Sequence, residues 1–333
     1  MKSLLIFTIV LIVISIALSP AARAEEDEAG HYFPGALSSF VSLLPDRDSR
    51  TFAYANLSTF YHGSGDLQFP GGSTKTKATS YTNASVFLEQ FQPIPMLLNG
   101  QYAAALAVPY TWLKVDATLS LGHTKIRSHD KDNGFGDIEM FPLMMGWHKG
   151  DWKYQTEFGI YMPTGNFTKG DLANVGRNYW TFEPSAAISY FSLTTGFEFT
   201  ASAGFDFNTK NGATHYQSGD QFHLDGTLAE HFLLPGQRGD LAGLGVAGFF
   251  YQQITGDGGH GAMLGGFEAM TTGIGPVVSY VYPVGDSRNA VLAGEVQWLP
   301  ELSVSNRLSG NIVWFKAVLS WGSERATNPI QAL

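Results

Sequence analysis

Cysteine is absent from the 333-residue chain. Its absence rules out disulfides, thiolate metal sites, cysteine nucleophiles and an N-terminal lipoprotein anchor, and it argues against a small disulfide-stapled scaffold. Charge is scarce as well. Charged residues make up 15% of the chain, where a soluble domain carries about 25%. The 20 Lys and Arg are outnumbered by 29 Asp and Glu and form no basic cluster, so nucleic acid is not an expected partner. Beyond residue 24 no apolar run is long enough for a membrane-spanning helix.

The first 24 residues have the layout of a secretory signal peptide. Lys2 supplies the positive start, residues 4–18 are apolar, and Ala22-Arg23-Ala24 is a small-x-small cleavage site. Cleavage removes 24 of 333 residues and leaves 309; loss of Lys2 and Arg23 moves the net charge from -9 to -11. Glycine is abundant at 38 residues and aromatics reach 14%. An exported chain with little charge and many aromatics suits a lipid-facing barrel.

The stretch 195–208, TGFEFTASAGFDFN, carries the strongest pattern. Phe197, Phe199, Ala201, Ala203, Phe205 and Phe207 fall on one parity, and Glu198, Thr200, Ser202, Gly204, Asp206 and Asn208 on the other. Strict period 2 marks a strand, and its length is about twice that of a soluble strand. Aromatics cluster at both ends of the apolar face. From Phe197 to Phe207, at ~3.4 Å per residue and ~40° tilt, the strand spans roughly 26 Å, close to the ~25 Å apolar band of an outer-membrane barrel.

Similar segments recur at 51–62, 78–90, 100–112, 136–148, 151–162, 178–191, 195–208, 220–232, 240–253, 263–283, 290–299 and 308–321. About twelve strands are expected, an even number when both chain ends lie on the periplasmic side. Short connections (148–151, 192–193, 233–239) tend to alternate with longer ones at 63–77, 113–135, 163–177, 209–219 and 254–262, as barrel topology requires. Residues 25–50 are not strand-like; 36–44 is apolar enough for one short helix. The expected organisation is a signal peptide (1–24), an N-terminal periplasmic or plug segment (25–50), an all-β transmembrane antiparallel up-and-down barrel (51–321) and a C-terminal tail (322–333).

Parity assigns the lumen face. Charge facing lipid at mid-membrane costs ~2–4 kcal/mol for Lys, so Lys153, Glu157, Glu183, Glu198, Asp206, His223, Asp225, Glu295 and Lys316 are read as lumen-lining. An acidic lumen disfavours anions. Glu230 falls on the lipid parity, so its strand is expected to end before it. Phe40, Leu43 and Leu44 are read as a hydrophobic plug or gate, or equally as an anchor on the barrel floor.

Several stretches together resemble a known family. They are HYFPG at 31–35, GDIEMFPLMMGW at 136–147, PTGNF at 163–167, NTKNGATHYQSGDQFHLDG at 208–226, YQQITGDGG at 251–259 and GIGPVVSY at 273–280. They are similar to the outer-membrane proteins associated with the meta-pathway of phenol degradation, themselves related in architecture to long-chain fatty-acid and toluene channels. The resemblance runs from about His31 to Trp321. It implies a monomeric barrel that passes small apolar or aromatic compounds, with the N-terminal segment in or under the lumen. The chain departs from the usual barrel ending: Trp321, the aromatic for the assembly machinery to read, is followed by a tail.

Other candidates read as bland. Asp257 with His260, and His123 and His129 with Asp130 and Asp132, lack ligand spacing, so no metal or other cofactor is expected. His215 near Asp220 and His223 beside Asp225 offer acid–base pairs, but no oxyanion site accompanies them, so no enzyme is expected. Asn56, Asn83 and Asn166 match the glycosylation pattern; the first two fall inside strands and are chance matches. The expected function is passive uptake of small hydrophobic or aromatic solutes across the bacterial outer membrane. A general, cation-preferring porin is the alternative, and a barrel enzyme is less favoured.

Overall fold

The computed structural model describes residues 30–45, 50–69, 71–192, 194–235, 239–262, 265–284 and 289–322. The expected signal peptide, the acidic lead at 25–29 and the tail beyond Gly322 lie outside the described residues.

Thirteen strands follow in chain order: β1 (Thr51–Phe69), β2 (Gly72–Gln90), β3 (Gln101–Leu121), β4 (Thr124–Phe135), β5 (Ile138–Lys149), β6 (Trp152–Met162), β7 (Thr181–Phe191), β8 (Phe197–Asn208), β9 (Gln221–Leu233), β10 (Leu241–Gln253), β11 (Met270–Val284), β12 (Ala290–Ser305) and β13 (Ser309–Gly322). All pairings are antiparallel, and β1 pairs with β13 from Thr51↔Gly322 to Ser64↔Ser309, which closes the ring. Twelve strands make the ring. The extra one, β4, pairs with the outer half of β3, and β5 takes the inner half from Gln101 to Ala107. Closure leaves no free edge in the twelve-stranded ring, the condition for a sheet to sit in lipid; the second edge of β4 pairs with no described strand.

The expected twelve-stranded barrel is thus the observed one, with its differences at the loop end. β1 and β2 run 19 residues each and β3 runs 21, against 11–13 for β5 to β10. Segments 63–77 and 113–135, expected as loops, are the ladders of two hairpins that project past the apolar belt. Lys75, Lys77, Lys114, Arg127 and Lys131 occupy them. The outward face here is charged rather than apolar, which removes the signal of a lipid-facing strand, yet the backbone ladder continues and the inward face keeps Ala78 and Val115 buried against Ala173 and Leu308. β12 likewise continues to Ser305, and β11 begins only at Met270. β9 also continues through Glu230, to Leu233. Glu230 points outward but stands opposite Phe197 at the short-turn rim, where water is within reach.

No α-helix occurs among the described residues, and no helix is long and apolar enough to cross a membrane. The helix expected at 36–44 is one 3-10 turn, Phe40–Ser42. Its backbone amides are drawn to wall side chains instead: Phe40 N donates to Glu198 Oε1 and Leu44 N to Gln155 Oε1.

The outward face forms an apolar belt with aromatic borders. Trp152, Tyr154, Phe197 and Trp321 are exposed near the short turns; Phe60, Trp112, Phe205 and Phe207 are exposed toward the loops. The core lies inside the ring, where residues 30–45 pack.

Candidate functional site

In β8 burial alternates residue by residue, with Glu198, Thr200, Ser202, Gly204, Asp206 and Asn208 buried and their neighbours facing out. Strand parity therefore delivers carboxylates and amides from β6 to β9, and from β12 and β13, to one side of the interior. The segment 30–45 is tied to that side along its length.

At the loop end, His31 Nε2 lies 2.9 Å from Asp137 Oδ2 and Nδ1 lies 2.7 Å from Thr181 Oγ1. Its ring stacks on Tyr161 at 4.6 Å. Asp137, in the break between β4 and β5, also accepts from Gly165 N and Arg177 N. Burial opposes its ionisation, but the hydrogen bond and charge of His31 and those two amides hold its carboxyl below the ordinary carboxylate range. Lower down, Tyr32 OH and Gly35 N donate to Asp225 Oδ1 at 2.9 and 2.7 Å. Gly35 has φ +87, and a Cβ there would meet Leu299 at 2.4 Å, so only glycine fits this close approach. Lys316 Nζ donates to the carbonyls of Gly35 and Ala36 at 2.8 and 3.1 Å. Trp314 Nε1 donates to Pro34 O, and Gln297 Nε2 to Ser38 Oγ. Near the short turns Phe40 packs with Val41, Phe191, Leu241, Val281, Val291 and Ala293. Leu44 packs with Ala103, Ala105 and Met144.

The other side of the interior is different. The inward parity of β1 carries Ala53, Ala55, Leu57, Thr59 and Tyr61; that of β2 carries Ala78, Thr82, Ala84, Val86 and Leu88; that of β3 carries Ala103, Ala105, Ala107 and Pro109. Between this wall and the segment lies a cavity of about 350 Å³. Ala55, Leu57, Ala84, Val86 and Ala107 line one side of it, and Glu139, Glu157, Glu183 and Lys316 touch the other.

The polarity is reversed on the outside of β1 and β2. Asn56 and Asn83 exchange amide hydrogen bonds at 3.2 and 2.9 Å, and Asn83 also donates to Ser58 Oγ at 2.7 Å. Tyr54 OH meets Ser85 Oγ, and Tyr81 OH meets Ser58 Oγ. These groups bond to each other, as polar groups facing lipid must.

Most residues singled out by parity are buried on the inner face: Glu157, Glu183, Glu198, Asp206, His223, Asp225, Glu295 and Lys316. The fold sorts them into groups. Lys316 Nζ stands 3.1 Å from Glu295 Oε1. Glu198 Oε2 stands 2.8 Å from His231 Nε2, and Oε1 holds the segment at Phe40. Glu183, Asp206 and His223 converge. Lys153 is half-buried at the short-turn end, opposite His148 and Ser189, away from these groups. Phe40 and Leu44 are buried, and Leu43 is half-buried and touches the cavity.

Sequence reasoning missed the anchors His31 and Tyr32, the buried His231 and the apolar inner wall. HYFPG stood out as part of the family resemblance, without a partner on the wall. On β5 a register irregularity between Met140 and Leu143 hides the parity that brings Glu139 to the cavity.

The model of the family described as "Putative MetA-pathway of phenol degradation" matches residues 61–317. Among solved structures, an outer membrane channel from Pseudomonas putida F1 is similar at a TM-score of 0.57 and 15% identity, over 87% of this chain and 100% of that one. A FadL homologue from Pseudomonas aeruginosa is similar at a TM-score of 0.36 and 9% identity, over 92% of this chain and 98% of that one. The first likeness is one of fold. No curated protein matches the chain.

Proposed function

The chain belongs to the phenol MetA-pathway family, and on that premise we propose that it is an outer-membrane channel for passive uptake of small hydrophobic or aromatic solutes, not an enzyme. One observation carries the reading: the open space inside the ring is bounded by an apolar wall, while the segment 30–45 covers the polar one. A solute crossing here slides along Ala, Leu and Val side chains. The segment engages Asp137, Glu198, Asp225 and Lys316, which takes part of the polar wall's charge out of the path. The segment acts as a plug that narrows a ring of twelve strands, a size between barrels filled by side chains at about eight and open channels at about sixteen. Phe40, Leu43 and Leu44 form its lower part.

Orientation follows from the turns. The long connections 163–180 and 209–220 face the outside of the cell, and the short turns face the periplasm. The signal peptide delivers the chain to that compartment.

The test is single-channel conductance of the mature protein in a planar bilayer, with and without residues 25–46, alongside vesicle permeation of an uncharged aromatic such as benzyl alcohol. The intact protein is expected to pass benzyl alcohol and little current, and the shortened one to conduct steadily. Large, steady, cation-selective openings in the intact protein would instead make it a general porin and overturn the plugged-channel reading.

A further inference from the structure

Side by side, β7, β8 and β9 bring Glu183, Asp206 and His223 together inside the ring. His223 Nε2 lies 3.3 Å from Glu183 Oε1 and 3.9 Å from Asp206 Oδ1. One ligand atom from each residue lies within 4.8 Å of the others. Around a Zn²⁺ ion with bonds of about 2.0–2.2 Å, neighbouring tetrahedral ligands stand about 3.3 Å apart. Small side-chain rotations reach that spacing. The three residues are 23 and 17 positions apart on separate strands, which is why no ligand motif shows in the sequence.

Two further observations point to a ligand. His223 is 1% exposed, and its ring nitrogens face the carboxylates of Glu183, Asp206 and Asp225 at 3.3 to 3.9 Å without a well-aligned hydrogen bond. Gln221, opposite Asp206 on the same inner face, is fully buried, and neither of its amide atoms makes one with any described residue. Polar groups shut away from water without partners are costly. The local charge is also lopsided. Glu157, Glu183, Asp206 and Asp225 are all buried on this side, whereas the nearby cation Lys316 is engaged by Glu295 and by the segment's carbonyls. The surroundings resemble the outer support of a metal centre. Tyr161 OH donates to Glu183 Oε2 at 3.1 Å. Tyr32 stacks on the imidazole at 4.2 Å. A Cβ on Gly204 would lie 2.5 Å from the His223 ring, so glycine there gives the imidazole its place.

We propose that Glu183, Asp206 and His223 bind a divalent transition-metal ion, with the Gln221 amide oxygen or water completing the shell. One imidazole nitrogen with carboxylate oxygens and no thiolate favours Zn²⁺ or Mn²⁺ over Cu⁺ or Ca²⁺. Glu183 borders the cavity, which gives the ion a route in. The bound ion cross-links three wall strands and steadies the Tyr32 anchor of the segment.

The test uses the full mature protein in detergent, stripped with a chelator and titrated with Zn²⁺ and with Mn²⁺. One saturable site per chain is expected, weakened at least tenfold in His223→Ala and in Asp206→Asn, with folding of each variant checked by circular dichroism. Mn²⁺ bound to the wild-type protein should show coupling to an imidazole nitrogen in pulsed electron paramagnetic resonance, a readout that needs no variant. Absence of saturable binding, binding unchanged in both folded variants, or Mn²⁺ without nitrogen coupling would each overturn the site. None of these measurements involves solute passage, so their failure leaves the channel reading standing.

Discussion

The two walls of the interior obey opposite rules. On β6 to β9 and on β12 and β13, strand parity puts carboxylates, amides and Lys316 inside and apolar residues outside. On β1 to β3 it puts Ala, Leu, Val and Thr inside, and on β1 and β2 it leaves Asn56, Ser58, Asn83 and Ser85 outside. The polar wall holds the segment 30–45 by hydrogen bonds, and the apolar wall faces the cavity, touched by the segment at Leu44. The difference teaches that a barrel can divide its interior between a polar face that anchors a segment and an apolar face that borders a cavity; on the proposed function the second is the sliding face.

Five substitutions break or sharpen this contrast, from the largest expected effect to the smallest. Lys316→Met removes the cation that is buried beside Glu295 and bonded to the segment. Leaving a buried charge alone costs about 3–5 kcal/mol, to be read from urea unfolding of the barrel in lipid vesicles; a loss under about 1 kcal/mol would deny the polar wall its anchoring role. Phe40→Ala empties the packing at the short-turn end. A loss of about 3 kcal/mol is expected by the same assay, with raised conductance as the segment loosens, and unchanged conductance would separate Phe40 from the gate.

On the apolar wall, Ala107→Asp puts a charge into the sliding face. Permeation of benzyl alcohol should fall about tenfold, equivalent to about 1.4 kcal/mol. Thr227→Val on the polar wall, where the buried hydroxyl makes no hydrogen bond with any described residue, should leave permeation unchanged. Equal effects at the two positions would abolish the distinction between the walls. Asp66→Ala, in the projecting hairpin, removes an exposed ion pair to Lys75 at 3.9 Å. Its effect on stability should stay within about 0.5 kcal/mol; a larger one would mean that the hairpin contributes to the ring.

Much of the ring is legible one strand at a time. For β6 and for β8 to β10 the expected boundaries lie within two residues of the observed ones, because the lipid–lumen contrast forces a clean period of 2 there. The same rule fails where its cause is missing. Past the belt, β1 to β4 carry charged residues on the face that lipid would otherwise cover, and their ladders read as loops. On β1 the alternation of Ala55, Asn56, Leu57 and Ser58 has the right period, but period alone cannot tell the inside from the outside. The matched Asn56 and Asn83 patterns are explained by their hydrogen bonds across β1 and β2.

The interior was less legible. Parity named Glu183, Asp206 and His223 singly, since each strand shows which of its own residues face in. It could not show that they meet, because their meeting depends on the register of three strands. Nor could it show that His31 reaches Thr181, 150 positions away.

By itself, then, the sequence determined the class of the molecule: an exported, cysteine-free β-barrel of twelve alternating strands. Composition and period follow from the local demand that each strand face lipid on one side, and local demands are written locally. Tertiary structure alone decided which wall the segment 30–45 would hold, where the apolar-walled cavity would lie and which buried carboxylates would share an imidazole. Those outcomes depend on ring closure and strand register, which join residues far apart in the chain and leave no periodic trace in it.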